Sequence, residues 1–437
     1  MLAQYARKHE ALDRAFRASE DRAANSAASA RNHAPMSTYH CSDRPRQANR
    51  LVDPLRALLL ALAWMLAGAA SAGQSGAPAT TASSPAPVGT TKTPPDTAAV
   101  LRQLRHINTP DGIESMTTVE LGGIRQWISV RGRHRGNPIL LFVHGGPSLT
   151  SMPASYSYAA PWEEYFTVVQ WDQRGAGKTY RENDPDKVRP TMTEARMLAD
   201  AEELVTWLRK TYHQPKIVLV GHSWGSVLGV QLAQKHPDWF YAYVGVGQVV
   251  NMQRSEAQGY QATLAAAERD GNAKAVKALK DIAPYPDATL SGEKIFAKLG
   301  VDRTWLSWYG GYFHGQRQGN DPQLISMSPD YDAADSAARD AGGAFSIPLL
   351  WNELMATDFD RVTTFRCPVI LFQGRYDLTV SATLVKQWFD ALHAPVKKMI
   401  WFEDSSHILF EEAPGQFLVS LVNDVLPLTR KHKHVTA

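Results

Sequence analysis

The chain has 437 residues, 44% of them hydrophobic and 20% charged, with a formal net charge of +3. That length allows two domains, or one large domain with an insertion, and the apolar content is sufficient for a core. Residues 1–72 carry the positive surplus and the remainder is near neutral, so nothing favours a nucleic-acid partner.

Residues 1–50 are rich in Ala, Arg and Ser without a sustained apolar face, and read as a disordered or untranslated extension. Arg44, Arg46, Arg50 and Arg56 then precede an uncharged run, Ala57 to Ala72, closing in Ala70-Ser71-Ala72. Basic, apolar and small-x-small regions in that order make residues 51–72 a signal peptide. The alternative is an uncleaved anchor acting as an N-terminal membrane tether, for which the run is slightly short. Met36 would give a signal of ordinary proportions, so the start reads as assigned too early. The expected product is exported, periplasmic or secreted. Residues 73–99 are Ala, Pro, Thr, Ser and Gly with little charge, a flexible linker. Cleavage after Ala72 removes Cys41 and leaves Cys367, which then has no disulfide partner and reads as a buried small hydrophobe.

The folded part begins near Val100. Met116–Leu121 and Ile124–Val130 alternate around Gly122-Gly123, predicting a β-hairpin. Pro138–Val143 is a short apolar strand running into His144-Gly145-Gly146-Pro147. Phe166–Trp171 is another, followed by Asp172-Gln173-Arg174-Gly175-Ala176-Gly177. Thr193–Lys210 has helical spacing with Thr193 as cap. Lys216 to Val220 is a continuous β-branched and aliphatic run, read as a buried parallel strand, and Tyr241–Val250 is the next. Strands alternating with helices predict an α/β fold: a mostly parallel, doubly wound sheet opened by an antiparallel hairpin, with its first part at 100–250. Residues 251–362 carry helical segments (Ala257–Arg269, Asn272–Leu279) and aromatic clusters but no convincing strand, predicting an inserted helical cap. Sheet resumes at Pro368–Gln373 and Lys397–Phe402, and Pro414–Leu428 closes a second core part at 363–430.

Gly221-His222-Ser223-Trp224-Gly225 is a Gly-x-Ser-x-Gly pattern between strand and helix, a sharp turn that lifts Ser223 above the sheet. The pattern alone is common, and its setting gives it weight. Asp377 follows the strand ending at Gln373, and His407 follows the strand ending near Phe402. Carboxyl ends of parallel strands are where such sheets bind ligands, and Ser…Asp…His is the order such a turn requires. His407 then serves as general base, Asp377 orients it, and the N–H groups of Trp224 and Gly146 hold the oxyanion. Asp404 is a rival acid, while His144 and His222 read as loop supports. No metal-ligand spacing stands out and no cofactor is implied. Gly175-Ala176-Gly177-Lys178-Thr179 lacks the upstream glycine of a phosphate loop.

With these residues in view, the chain resembles the α/β-hydrolases, and its motifs are similar to those of the prolyl iminopeptidase branch. The shared elements are His144-Gly145-Gly146-Pro147, Trp171 to Gly177, Ser223-Trp224-Gly225-Ser226 and Gly374-Arg375-Tyr376-Asp377. The resemblance implies an α/β-hydrolase fold and hydrolysis of small N-terminal residues, with cap carboxylates gripping the free amine. Three positions depart from it: His222 before the serine, Ser148 after the loop proline, and Trp305-Leu306-Ser307-Trp308-Tyr309, with tyrosine where the branch has glutamate. Trp305, Trp308 and Tyr309, with Tyr312 and Phe313, are candidates for lining a substrate pocket or for packing cap on core. Glu353 and Asp358 are candidate anions for the amine. The function expected is an exported serine hydrolase, an exopeptidase on small peptides or else a carboxylesterase or amidase. A non-catalytic ligand-binding module is the reading of another class.

Overall fold

The computed structural model describes residues 96–287, 289–290, 292–316 and 321–430, all within one compact unit spanning Ala70–Ala437. The readings of 1–50, 51–72 and all but the end of 73–99 fall outside the described residues. After a short helix α1 (Thr97–Leu104), the hairpin forms as its alternation predicts. Strands β1 (Ile113–Leu121) and β2 (Ile124–Gly132) pair antiparallel, with Leu121 opposite Ile124 across Gly122-Gly123.

Six further strands complete the sheet: β3 (Ile139–Val143), β4 (Thr167–Trp171), β5 (Ile217–His222), β6 (Phe240–Val246), β7 (Val369–Gly374) and β8 (Lys397–Phe402). Their order is β1-β2-β4-β3-β5-β6-β7-β8, antiparallel at β1-β2 and β2-β4 and parallel elsewhere. Strands β3, β4, β5 and β7 are buried at every residue, which is why each reads as a mainly apolar run. Alternation still sorts their side chains. Leu141, Val143, Ile217 and Leu219 enter one core layer, and Leu140, Phe142, Val218 and Val220 enter the other.

Helices cover both faces. Between β4 and β5 lie α2 (Gly177–Glu182) and α3 (Glu194–Thr211). The Thr193 hydroxyl accepts from Arg196 N at 3.2 Å, fixing the start of α3, and Met197, Ala201, Leu204, Val205 and Leu208 form its buried stripe. Helix α4 (Trp224–Lys235) follows β5.

Between β6 and β7 the described residues are helical: α5 (Met252–Arg269), α6 (Ala273–Asp281), α7 (Gly292–Trp308), α8 (Asp321–Ser326) and α9 (Ala333–Met355). Two of these were anticipated at about their observed limits. Helix α9 was not, because Gly342, Gly343 and Pro348 interrupt its pattern. Its start is fixed by a capping box between Asp332 and Asp335. The excursion leaves and rejoins the sheet at one neck. There Asn251 bridges Asp358, and Phe359 N donates to Val250 O at 2.7 Å. After β7 come α10 (Ala382–Ala391), α11 (Leu409–Glu412) and α12 (Pro414–Ser420), the last continuing through a wider turn at Leu421–Val425 into α13 (Leu426–Arg430). Among the described residues no helix is long and apolar enough to cross a membrane. Cys367 is buried, and burial pushes its thiol up to about 11.

The segment after β4 fastens these layers together. Arg174, about 1% exposed, donates to both oxygens of the fully buried Asp200 on α3 (2.7 and 3.2 Å) and to the carbonyls of Leu121 and Gly122 in the hairpin turn. Leaving either charge alone in that setting costs on the order of 3–5 kcal/mol. The neighbouring Asp172 accepts from Thr150 Oγ1 at 2.6 Å, from Lys178 N at 2.7 Å and from the Tyr331 hydroxyl just before α9. Burial raises its carboxyl to about 6. Lys178 pairs with Asp335, and Ser346 Oγ donates to Gly175 O at 3.1 Å, so α9 is bound to the same segment.

Candidate active site

Because β3 through β8 run parallel, the segments following β3, β5, β7 and β8 emerge at one edge. The turn after β5 holds Ser223 at φ 51°, ψ −121°, a conformation costly for a residue with a Cβ. Surrounding bonds impose it. Ser223 N donates to Val246 O at 3.0 Å, and its carbonyl accepts from Ser226 N (2.8 Å) and Oγ (2.6 Å). A Cβ on Gly225 would overlap the Val143 carbonyl oxygen, so only glycine lets α4 start this close to β3.

At the end of β7, Asp377 accepts four hydrogen bonds. Thr379 N and Val380 N donate to Oδ1 (2.9 and 3.0 Å), and Gln373 Nε2 and His407 Nδ1 donate to Oδ2 (3.2 and 2.8 Å). Both Asp377 and His407 are buried at about 2% exposure. Asp404 is exposed and makes no bond to His407, so of the two carboxylates Asp377 is the one that holds the imidazole. The pair passes directly over Gly247, which follows β6 with φ 51°; a Cβ there would lie 3.1 Å from the His407 ring. Sequence reasoning did not single out Gly247, although a glycine ending a buried strand is a legible signal. It also missed Glu412. That carboxylate accepts from Ser406 N at 2.9 Å and from His314 N, tying the His407 loop to the loop after α7. Tyr312 in the same loop accepts from His407 N at 3.1 Å.

Burial pushes both supporting histidines toward the neutral form. Burial, with the neighbouring His407 and His144, drives His222 far below its usual value, and its Nε2–H donates to His407 O at 3.1 Å. His144, lowered to about 4 chiefly by burial, donates from Nδ1 to Gly145 O at 2.8 Å, while Nε2 accepts from Gln173 N. Gln173 ties the remaining parts together: Nε2 donates to His144 O at 2.9 Å, and Oε1 accepts from Trp224 Nε1 at 3.2 Å. Among the described residues no acceptor meets the Gly146 N–H, and Trp224 opens α4, where an N–H has no intrahelical partner.

Ser223, His407, Gly146 and Trp224 line one cavity of about 370 Å³ between the sheet edge and the cap helices. The Ser223 hydroxyl is not hydrogen-bonded to His407 in this structure, as is common before substrate binds. The cap contributes two helix faces. Phe296, Leu299, Gly300, Arg303 and Ser307 recur at helical spacing on α7, and Arg339, Ile347, Trp351 and Leu354 do so on α9.

The substrate-binding residues expected from sequence lie elsewhere. Trp305 and Trp308 stand on the far face of α7. Trp305 packs with Tyr260, Leu279 and Tyr285, and Trp308 is partly exposed. The Tyr309 hydroxyl meets Asn272 Nδ2 at 3.1 Å and Asp270 at 3.3 Å, behind the cap. Glu353 accepts from Glu194 N and caps α3, Asp358 sits at the neck, and Phe313 is buried in the core. Of that group Tyr312 alone lines the cavity, its ring 5.6 Å from that of His407. Helix phase is the physical reason: residues two apart on α7 face nearly opposite ways, so the stripe through Arg303 and Ser307 turns Trp305 outward. Glu411 is the acidic residue on the cavity wall.

An eight-stranded sheet of this order, with a strained serine after β5 and a cap between β6 and β7, defines the α/β-hydrolase class. A family model described as "alpha/beta hydrolase fold" matches residues 138–414. The probable aminopeptidase YbaC of Bacillus subtilis is 32% identical over 312 residues, covering 71% of this chain and 95% of that one. A probable proline iminopeptidase of Leptolyngbya boryana is 26% identical over 300 residues, 64% of this chain and 84% of that one. The crystal structure of the proline iminopeptidase of Mycobacterium smegmatis shares the fold with a TM-score of 0.54 at 19% identity, covering 72% of this chain and 98% of that one. The chain belongs to the α/β-hydrolase family and, within it, to the prolyl iminopeptidase-like branch. It is a hydrolase.

The hydrogen-bonding around His407 makes the acid assignment testable. Asp377→Asn should lower turnover of p-nitrophenyl acetate by up to about 10⁴-fold through the wrong imidazole tautomer. Asp404→Asn should leave it near wild type, with circular dichroism confirming that both fold. The reverse pattern would move the acid to Asp404.

Proposed function

We propose that the protein is an exported serine hydrolase that removes single N-terminal residues from short peptides through an acyl-enzyme on Ser223. The observation that carries this reading is the His407–Asp377 bond at the edge of a cavity that Ser223 also lines. His407 Nε2 takes the Ser223 proton as Oγ attacks the acyl carbon. The N–H groups of Gly146 and Trp224 receive the oxyanion. His407 then protonates the leaving amine, and water releases the acyl group by the same route. The relatives named aminopeptidase and proline iminopeptidase support a peptide substrate. A desolvated ammonium needs a carboxylate, and this reading puts it beside Glu411.

A carboxylesterase or amidase is the second reading. It is favoured by Tyr309 and Glu353, which both spend their polar atoms away from the cavity. A non-catalytic module has no use for an oriented imidazole beside a strained serine.

A fluorophosphonate should label the wild type and fail to label a folded Ser223→Ala variant; persistent labelling would remove Ser223 from its role. Prolyl or alanyl anilide with a free amine should then be cleaved about tenfold or more faster than its N-acetylated form, and Glu411→Gln should remove that preference. Indifference to acetylation would establish the esterase or amidase reading instead.

Export is proposed from the basic, apolar and small-x-small order over Arg44 to Ala72. N-terminal sequencing of the mature protein should begin near Gly73. An intact N-terminus in the membrane fraction would establish the anchor, and a soluble cytosolic product would exclude both.

A further inference from the structure

The cavity wall is largely apolar, and the charged side chains on it are Arg303, Arg339 and Glu411. Arg303 is matched from within the protein. Its guanidinium pairs with both oxygens of the buried Glu256 and, at 2.6 Å, with Asp302. Arg339 is not so matched. Its Nε donates to Thr150 O at 3.1 Å, and Nη1 donates to Asp340 Oδ1 at a long 3.4 Å. Asp340 is 59% exposed, and an exposed pair of that length contributes little. Among the described residues no other acceptor engages the Arg339 fork, although its side chain is only 16% exposed and the fork carries further donors.

Its placement on α9 is specific. Arg339, Gly343, Ile347 and Trp351 follow one another at single-turn spacing on the face turned to the cavity. One turn after Arg339, a Cβ on Gly343 would lie 2.7 Å from Leu149, so the helix presses against the end of the glycine loop. The bond to Thr150 fixes the guanidinium beside that loop, and its charge is among the causes that lower the buried His144. A largely buried cation with spare donors, held next to the glycine loop in an apolar cavity, is built to receive an anion.

We infer that Arg339 binds a carboxylate of the substrate, making the enzyme selective for acids over their neutral counterparts. The inference rests on the serine-hydrolase reading. That carboxylate has two sources: the free C-terminus of a short peptide, on the leaving-group side, or an acidic group on the acyl side.

Two matched pairs separate them. The first is alanyl-alanine against its C-terminal amide. The second is p-nitrophenyl hemisuccinate against the butyrate ester. In one pair the acid should exceed its neutral mate by about tenfold or more in kcat/KM. That ratio should fall to near one in Arg339→Gln and be partly retained in Arg339→Lys. Which pair responds identifies the source. Equal rates within both pairs in the wild type, or a ratio that survives Arg339→Gln, would overturn the inference. Circular dichroism and labelling by the fluorophosphonate report that each variant is folded. If no substrate is cleaved and the fluorophosphonate fails to label the wild type, the serine-hydrolase reading fails instead.

Discussion

The buried pairing of Arg174 with Asp200 is the constraint on which the rest of this molecule hangs. Neither charge has access to water, so the pair survives only if every remaining donor and acceptor is met. The partners that meet them are the turn of the hairpin, the Thr191 hydroxyl, the Gln126 amide on β2 and Arg196 on α3. Fixing Arg174 fixes its neighbours on either side. Gln173 is thereby set between the His144 carbonyl and the Trp224 indole, joining the glycine loop to the serine-bearing turn. Asp172 and Gly175 are set against the cap through Tyr331 and Ser346. One stretch of seven residues, Trp171 to Gly177, thus holds hairpin, serine-bearing turn, glycine loop and cap in register. Its resemblance to the prolyl iminopeptidase branch has a physical content: it is a fastener in which successive residues bind different parts of the fold.

Strand polarity supplies the other half of the arrangement. Four chemical elements separated by long stretches of chain meet because the strands they follow point the same way. Strand β6 lies between the serine strand and the aspartate strand and contributes no reacting group, yet its end is constrained all the same. Gly247 must stay bare so that His407 and Asp377 can span the gap above it.

Much of this was legible in the sequence because the core obeys local rules. Strands buried on both faces read as apolar runs, Thr193 announces a helix, and the polar residues after Gln373 and Phe402 stand where an open parallel sheet places its ligands. The cap was legible only as an excess of chain without strands. Its longest helix, α9, contains two adjacent glycines and a proline that argue against helix locally. Tertiary packing overrides them: Gly342 lies against Gly175 and Tyr180, and Gly343 against Leu149, so both are small because other elements come close. The aromatic residues of α7 misled for a related reason. Composition marks Trp305 and Trp308 as pocket material, and only the phase of the helix shows that the pocket is lined by Phe296, Leu299 and Arg303.

Core and cap therefore divide the chemistry along a physical line. The proposed reacting groups sit on strand ends whose geometry is over-determined by backbone hydrogen bonds, and on that proposal a change there alters whether hydrolysis occurs. The selecting groups sit on helix faces held at one neck and along one fastener, where a rotation of one residue position, about a quarter turn or more, replaces one lining side chain by another. Tyrosine at position 309 illustrates the freedom this gives. Its hydroxyl has been absorbed into packing behind the cap with Asn272 and Asp270, while charge on the cavity wall is supplied from α7, α9 and α11. A change of substrate on this scaffold needs no change in Ser223, Asp377 or His407, because much of the cavity wall that faces them is carried by the cap helices α7 and α9.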